Sequence, residues 1–308
     1  MKRSSFRSFA KINLGLEVVG KLPGGFHELK TLFATLSLHD TLDIEERRGA
    51  ITVSCDHPGV PGDETNLAWR AAALMQKISG RKTGVAIRIH KRIAMGAGLG
   101  GGSSNAATVL RALDRMWDLG LGPSGLLDSA RSLGADVPYF LVGGPALGLG
   151  RGDDIHPLDL NLPGHVLLVP GAGGVSTADV FRRFSSQSRT AAPPKRIDRF
   201  LTSMAGAEKK AFAPKFARLR NHLERAALKV SPALARTARK VRQIGRATSA
   251  LQTAMSGSGS SFFLVFADKD ARSHAAVALK ASGLEGIPCS FLSRSAFLNR
   301  FETAARRG

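Results

Sequence analysis

The sequence predicts a globular chain of two domains that mixes strands and helices. Three observations carry this. Its 308 residues exceed the roughly 150 of a typical domain. Segments that alternate apolar and polar residues are interspersed with segments that repeat apolar residues at three and four. A composition of 43% hydrophobic and 22% charged residues is ordinary for a chain that buries a sizeable core.

The elements follow in order. "AKINLGLEVVG" places Ile12, Leu14, Leu16 and Val18 on one face, a strand. "KLPGGF" is a turn, with Pro23, Gly24 and Gly25 supplying the bend. "ITVSC" reads as a strand and "DETNLAWRAAALMQKI" as a helix, with Leu67, Ala71, Leu74, Met75 and Ile78 on its apolar face. "GVAIRIHKRI" alternates again. After a run of glycines, Ala106, Val109, Leu110, Leu113 and Trp117 predict a helix from Ser103 or Ser104. "SGLLDSARSLGADVPYFLVGG" gives a short helix and then a Gly134–Pro138 loop, and "GHVLLVP" is a short buried strand. A surface loop is expected at 186–194, then basic helices to about residue 246. "AMSGSGSSFFLVF" is a second glycine loop feeding a strand, and "DARSHAAVALKAS" is a helix. The domain boundary is placed near residue 158, dividing the chain into 1–158 and 159–308.

No apolar run approaches the ~18 residues that span a bilayer. Lys11, Asn13 and Glu17 interrupt any signal-peptide core near the start. A cytoplasmic chain with no membrane partner is expected. Cys55 and Cys289 are far apart and predict two free thiols. The net charge of +20 has a location: residues 182–246 hold 18 of the 44 Lys and Arg against Asp198, Glu208 and Glu224. A solvated helical surface explains this better than a nucleic-acid site, because the chain is only 6% aromatic and no stacking aromatics interleave the charges.

"MGAGLGGGSSNAA", Met95 to Ala107, sits between a strand and a helix. A helix N-terminus presents unpaired amides and partial positive charge. Glycines ahead of it let a phosphate approach those amides. Ser103 and Ser104 add hydroxyls suited to phosphate oxygens or a metal ion. The P-loop is excluded, because Gly102 stands where its lysine belongs. Gly96, Gly98 and Gly101 match G-x-G-x-x-G, but the preceding strand is too charged for the buried first strand of a dinucleotide fold.

"GLGGGSSNAA", with "AKINLGL", "GGFHELKTLF", "GADVPYF" and "MSGSGSSFF" in order around it, resembles the galactokinase, homoserine kinase, mevalonate kinase and phosphomevalonate kinase superfamily. The Gly-Phe-His segment resembles the branch that phosphorylates 4-diphosphocytidyl-2-C-methyl-D-erythritol, in the non-mevalonate route to isoprenoid precursors. The resemblance covers about 9–145, 175–181, 221–232 and 255–266, and is weak over 182–215. It implies an α+β fold, with an N-terminal domain like the second domain of ribosomal protein S5 and a ferredoxin-like C-terminal domain that closes the cleft. It implies ATP and Mg²⁺ as cofactors, with no dedicated metal ligand, and a small-molecule acceptor, cytidine diphosphate-linked methylerythritol. The chain would act as a monomer or weak homodimer.

The resemblance also assigns residues. Ala94, Met95, Gly96, Ala97, Gly98, Leu99, Gly100, Gly101, Gly102, Ser103 and Ser104 would cradle the triphosphate. Asp136 would act as base, since phosphoryl transfer calls for a carboxylate near the attacking hydroxyl; without the resemblance it reads first as a loop or capping aspartate. Lys11 would hold that base and orient the hydroxyl, against the alternative of an edge-strand charge. Asn13 shares its face and is a substrate contact. Phe26 and Phe181 would stack on the cytosine, His27 would read its edge, and Thr177 would lie nearby. Gly257 and Gly259 would line the substrate phosphates. The chain departs from the family at Phe26, commonly Tyr, at Ala94, usually Pro, and at Ala97, often Gly. Two other readings remain: a sibling kinase for another small alcohol, and a silent relative that binds nucleic acid or a regulator through 182–246.

Overall fold

The computed structural model describes residues 3–162, 164–171, 173–186, 195–204 and 213–301. Strands β1 (Arg3–Lys21) and β2 (His27–Arg47) form a long antiparallel hairpin. Its turn is Pro23–Gly25, where Gly24 and Gly25 take φ of +77° and +81°, a conformation glycine adopts without a Cβ penalty. β1 starts well before the expected strand, and β2 has no counterpart in the alternation pattern. Both carry residues buried on the two faces: Lys11–Glu17 of β1 and Thr31–Leu36 of β2 are buried throughout.

β2 organises the sheet. One edge pairs with β1 along its length, and the other meets three strands in turn. These are β5 (Ala146–Leu149), β10 (Ile287–Leu292) and β4 (Gly84–His90). β3 (Thr52–Cys55) runs parallel to β4, and β6 (Asp154–Pro157) pairs with β5. β10 also pairs with β7 (His165–Val169), followed by β9 (Phe262–Phe266) and β8 (Gln252–Met255). The order is β3-β4-β2-β10-β7-β9-β8.

Helix α1 (Leu67–Ser79) begins at an Asn66 cap, whose Oδ1 accepts from Ala68 N at 2.9 Å. It therefore starts four residues later than expected from Asp63. It buries Ala68, Ala71, Ala72 and Met75, while Ile78 is 43% exposed and off the apolar face. α2 (Gly101–Trp117) packs on α1 and β1. It starts at Gly101 rather than Ser103, because the cap is Gly100 with φ +70°. α3 (Gly122–Leu133) and the short α4 (Tyr139–Val142) complete the layer over the first half; α4, β5, β6, β8 and β10 have no counterpart in the sequence expectations.

The second half carries α5 (Thr177–Ser185), α6 (Arg196–Met204), α7 (Ala213–Phe216), α8 (Glu224–Val230), α9 (Pro232–Ala247), α10 (Lys269–Ala281) and α11 (Arg294–Asn299). The loop expected at 186–194 lies, save its first residue, outside the described residues. α9 buries Leu234, Ala238, Val241 and Ile244 and exposes Arg236, Arg239, Arg242 and Arg246. The basic excess is there a solvated helix face. Among the described residues, no helix is long and apolar enough to cross a membrane.

Candidate active site

A cavity of about 1490 Å³ opens between the β1–β2 hairpin, the loop from Ala94 to Gly100, the 256–261 loop and the start of α5. The glycine loop owes its path to two close approaches. Gly98 has φ +76°, and a Cβ there would stand 2.3 Å from Ser256 O. Gly100 has φ +70°, and a Cβ would stand 2.7 Å from the Phe140 ring and 3.2 Å from Lys11 Cε. Ser104 is the first amide to bond back along α2, to Gly100 O at 2.8 Å. The amides of Gly101, Gly102 and Ser103 precede it and lie in the orphaned first turn.

The cavity is lined by every residue from Ala94 to Ser103, but Ser104 is not among its walls. Its hydroxyl is buried and accepts from Ser8 Oγ at 2.8 Å. The serine that faces the cavity is Ser103.

At the floor, Lys11 Nζ lies 3.3 Å from Asp136 Oδ2, with the lysine side chain 4% and the aspartate 39% exposed. Lys11 is not an edge charge. It donates to Asn13 Oδ1 at 2.8 Å and sits 5.4 Å from the centroid of the Phe33 ring. Asn13 Nδ2 donates to Thr31 Oγ1 at 2.8 Å, so the β1–β2 pairing orients the amide that receives the ammonium. Asp136 is presented by the turn after α3, closed by Val137 N to Gly134 O at 3.1 Å. The arrangement is a carboxylate, partly open to the cavity, held by a buried lysine side chain.

The second glycine loop is stitched to this floor. Ser256 Oγ accepts from Asn13 N at 3.2 Å and donates to Gly98 O at 2.9 Å. Ser261 N donates to Ala97 O at 3.1 Å. Asn221 Nδ2 donates to Met255 O and Gly257 O at 2.9 and 2.7 Å. Gly257 and Gly259 line the cavity. Ser256 and Asn221 were not singled out in the sequence; nothing in "RNHLERAAL" marks Asn221 as a loop anchor.

The far end is aromatic. Phe181 of α5 stacks on His27 with centroids 4.9 Å apart, and Phe184 meets His27 edge-on at 6.1 Å. His27 Nε2 lies 2.7 Å from Ser185 Oγ. Burial, and secondarily the Lys21 charge, hold His27 below its ordinary pKa, so the ring is neutral and able to act as donor or acceptor. Phe26 is 55% exposed and faces the Arg151 guanidinium at 5.5 Å. Arg151, also unmarked in the sequence, is fixed by Asp153 Oδ2 through Nε at 3.1 Å and Nη2 at 2.7 Å. Thr177 Oγ1 lies 2.8 Å from Ser258 Oγ, joining α5 to the second loop. Phe26 and Phe181 both line the cavity, Phe26 against Arg151 and Phe181 against His27. Val60, Pro61, Thr65, Asn66 and Leu67 also line the wall, a segment the sequence does not mark as site.

Known proteins resemble this chain closely. The GHMP kinases N terminal domain matches residues 66–144, and the GHMP kinases C terminal domain matches 206–284. A 4-diphosphocytidyl-2-C-methyl-D-erythritol kinase of Pelotomaculum thermopropionicum is 40% identical over 261 residues, covering 84% of this chain and 88% of that protein. The protein of the same name from Gloeobacter violaceus is 39% identical over 295 residues, 94% of each. A crystal structure of 4-(cytidine 5'-diphospho)-2C-methyl-D-erythritol kinase superposes with a TM-score of 0.74 at 35% identity, covering 93% of this chain and 98% of that one.

Proposed function

This chain belongs to the 4-diphosphocytidyl-2-C-methyl-D-erythritol kinases of the GHMP kinase family, and from that premise we infer that it transfers the γ-phosphate of ATP to the 2-hydroxyl of 4-diphosphocytidyl-2-C-methyl-D-erythritol. The observation that carries this reading is the Lys11–Asp136 pair, set between the glycine loop and the aromatic end of one cavity.

Phosphoryl transfer needs placement and charge stabilisation more than covalent help. The amides at the start of α2 and the backbone of Gly96–Gly102 receive the triphosphate. Asp136 accepts the proton of the 2-hydroxyl as its oxygen bonds to the γ-phosphorus and the bond to the β-phosphate oxygen breaks, releasing ADP. Lys11 pairs with Asp136 and aims it, and Asn13 holds Lys11. Phe181, His27 and Phe26 select the cytidine end.

Among the described residues, no group of three His, Cys, Asp or Glu forms a dedicated metal site. Mg²⁺ keeps most of its waters and is held through phosphates with one or two protein oxygens. Ser103 Oγ, on the cavity wall, would be one such oxygen, and the ion would neutralise phosphate charge.

We place the nucleotide loop in a first domain, 1–158, and the cleft-closing loop in a second, 159–308. The reading has the chain act in the cytoplasm, as a monomer or weak homodimer, without specific nucleic acid.

A coupled assay for ADP release tests the reaction. Turnover is expected with the cytidine-linked acceptor and background rates with homoserine or mevalonate. Equal turnover on either control would hand the site to a sibling kinase. ATP binding without turnover on any acceptor would mark a silent relative.

A further inference from the structure

Behind the glycine loop lies a buried ion pair that the reaction described above does not use. Lys91 follows β4, and its ammonium is bonded to Asp40 of β2; the two side chains are 6% and 0% exposed. Asp40 Oδ1 also accepts from Arg92 N at 2.7 Å and Ile93 N at 2.8 Å. The Asn105 amide of α2 is oriented by its neighbours, its nitrogen donating to Asp40 Oδ2 at 3.2 Å, Gly101 O at 3.2 Å and Ser8 Oγ at 2.6 Å. One carboxylate thus gathers the ammonium, the chain entering the glycine loop and the helix leaving it.

We propose that Lys91 supplies a positive charge to the nucleotide phosphates and that Asp40 is its positioning residue. This rests on the reading of the glycine loop as the ATP site. Three observations point the same way. A Cβ at Gly101 would stand 2.9 Å from Lys91 Nζ, so the ammonium lies against the first residue of α2. Lys91 lines the cavity and Asp40 does not, so the lysine is the member of the pair that borders the ligand space. An ammonium beside a helix N-terminus sets like charge against like. An arriving phosphate relieves that repulsion, and Asp40 offsets it in the empty site. A buried ion pair is also a weak device for stability, since apolar replacements often do as well. Gly102 occupies the position of the P-loop lysine. Here the ammonium comes instead from Lys91, the residue that follows β4.

The test is calorimetric titration of MgATP into wild type, K91M, D40N and the double variant, each with its thermal midpoint and the KM of both substrates. K91M is expected to weaken ATP binding by about 10- to 100-fold, the value of a hydrogen bond to a charged group, with the KM of the acceptor unchanged. D40N is expected to weaken ATP binding and to lower the midpoint, because it strands a buried ammonium. The double variant should regain the midpoint but not the affinity. A double variant that regains both would make the pair merely structural and overturn the proposal, as would wild-type affinity in K91M. Should D40N fail to fold, K91M alone decides. Absence of ATP binding by wild type would instead overturn the nucleotide reading of the loop, and this inference with it.

Discussion

Phe181 lies against His27 with 27° between the ring planes, so one face of the phenyl ring is already covered by a side chain of the protein. A cytosine stacking on that face would have to displace the imidazole. Phe181→Ala loses the stack in both the free and the bound protein. The expected rise in the acceptor KM is therefore near the low end of a base–aromatic contact, about 5- to 20-fold. The KM for ATP should not change. Steady-state kinetics with each substrate varied check this, and a shift in the ATP value would place Phe181 elsewhere in the reaction.

Asp136→Asn keeps size and removes the proton acceptor. Turnover is expected to fall by about 10²- to 10⁴-fold, with acceptor binding by calorimetry largely retained. Lys11→Ala should also lower turnover, and the double variant should lose less than the product of the two, because the residues act as a unit. Multiplicative losses would show that the 3.3 Å contact is incidental.

Gly98→Ala is expected to part the two glycine loops. Its φ of +76° disfavours any Cβ, and Ser256 O stands 2.3 Å from the position the methyl would take. The left-handed conformation alone costs about 1–2 kcal/mol. Denaturant unfolding should show at least that loss, together with weaker ATP binding. Gly102→Ala is the control: its Cβ would meet only Leu67 Cδ1, at 3.8 Å, and stability should be preserved.

Acid should loosen the joint between β1 and the chain before α8. His222 Nδ1 accepts from Val18 N at 3.2 Å, and His222 N donates to Leu16 O at 2.9 Å. Burial lowers the pKa of His222 below 6.5; Glu17 acts in the opposite direction and Arg196 adds to the lowering. A depressed folded pKa means that the unfolded chain binds the proton more readily, so stability rises with pH through this window. The contribution is whole above 6.5 and is lost as pH falls through the folded value. His222→Gln should flatten the pH dependence of the thermal midpoint there, and an unchanged profile would remove His222 from the acid response.

The strand–loop–helix around Met95 to Ala107 was legible because glycines and apolar spacing are local signals. The helix starts two or three residues ahead of the expected Ser103 or Ser104, since serines are the commoner caps and here Gly100 caps the helix. β2 was invisible for a different reason. From Leu32 to Leu36 both its faces are buried, so the alternation that marks a half-exposed strand is absent. β10 contains Pro288, and the remaining missed elements, α11 of six residues and the others of four, are too short for periodicity. Lys11 and Asp136 were marked by a resemblance; their contact spans 125 positions and no spacing rule reaches that far. Asp40 and Lys91, Ser256 and Asn13 are likewise joined only by the fold. Ser104 was drawn to the ligand by its neighbour Ser103, but one step along a helix turns a side chain by about 100°, toward Ser8 instead.

β10 has a consequence for how the cleft admits its two ligands. It hydrogen-bonds to β2 at Phe291 and Leu292 and to β7 through Ile287–Ser290, so the two halves share a seam of main-chain bonds. Swinging them apart as a clam opens would unzip that seam. Entry through the rim, by rotation of single side chains such as His27 and Phe181, would leave that seam of main-chain bonds intact.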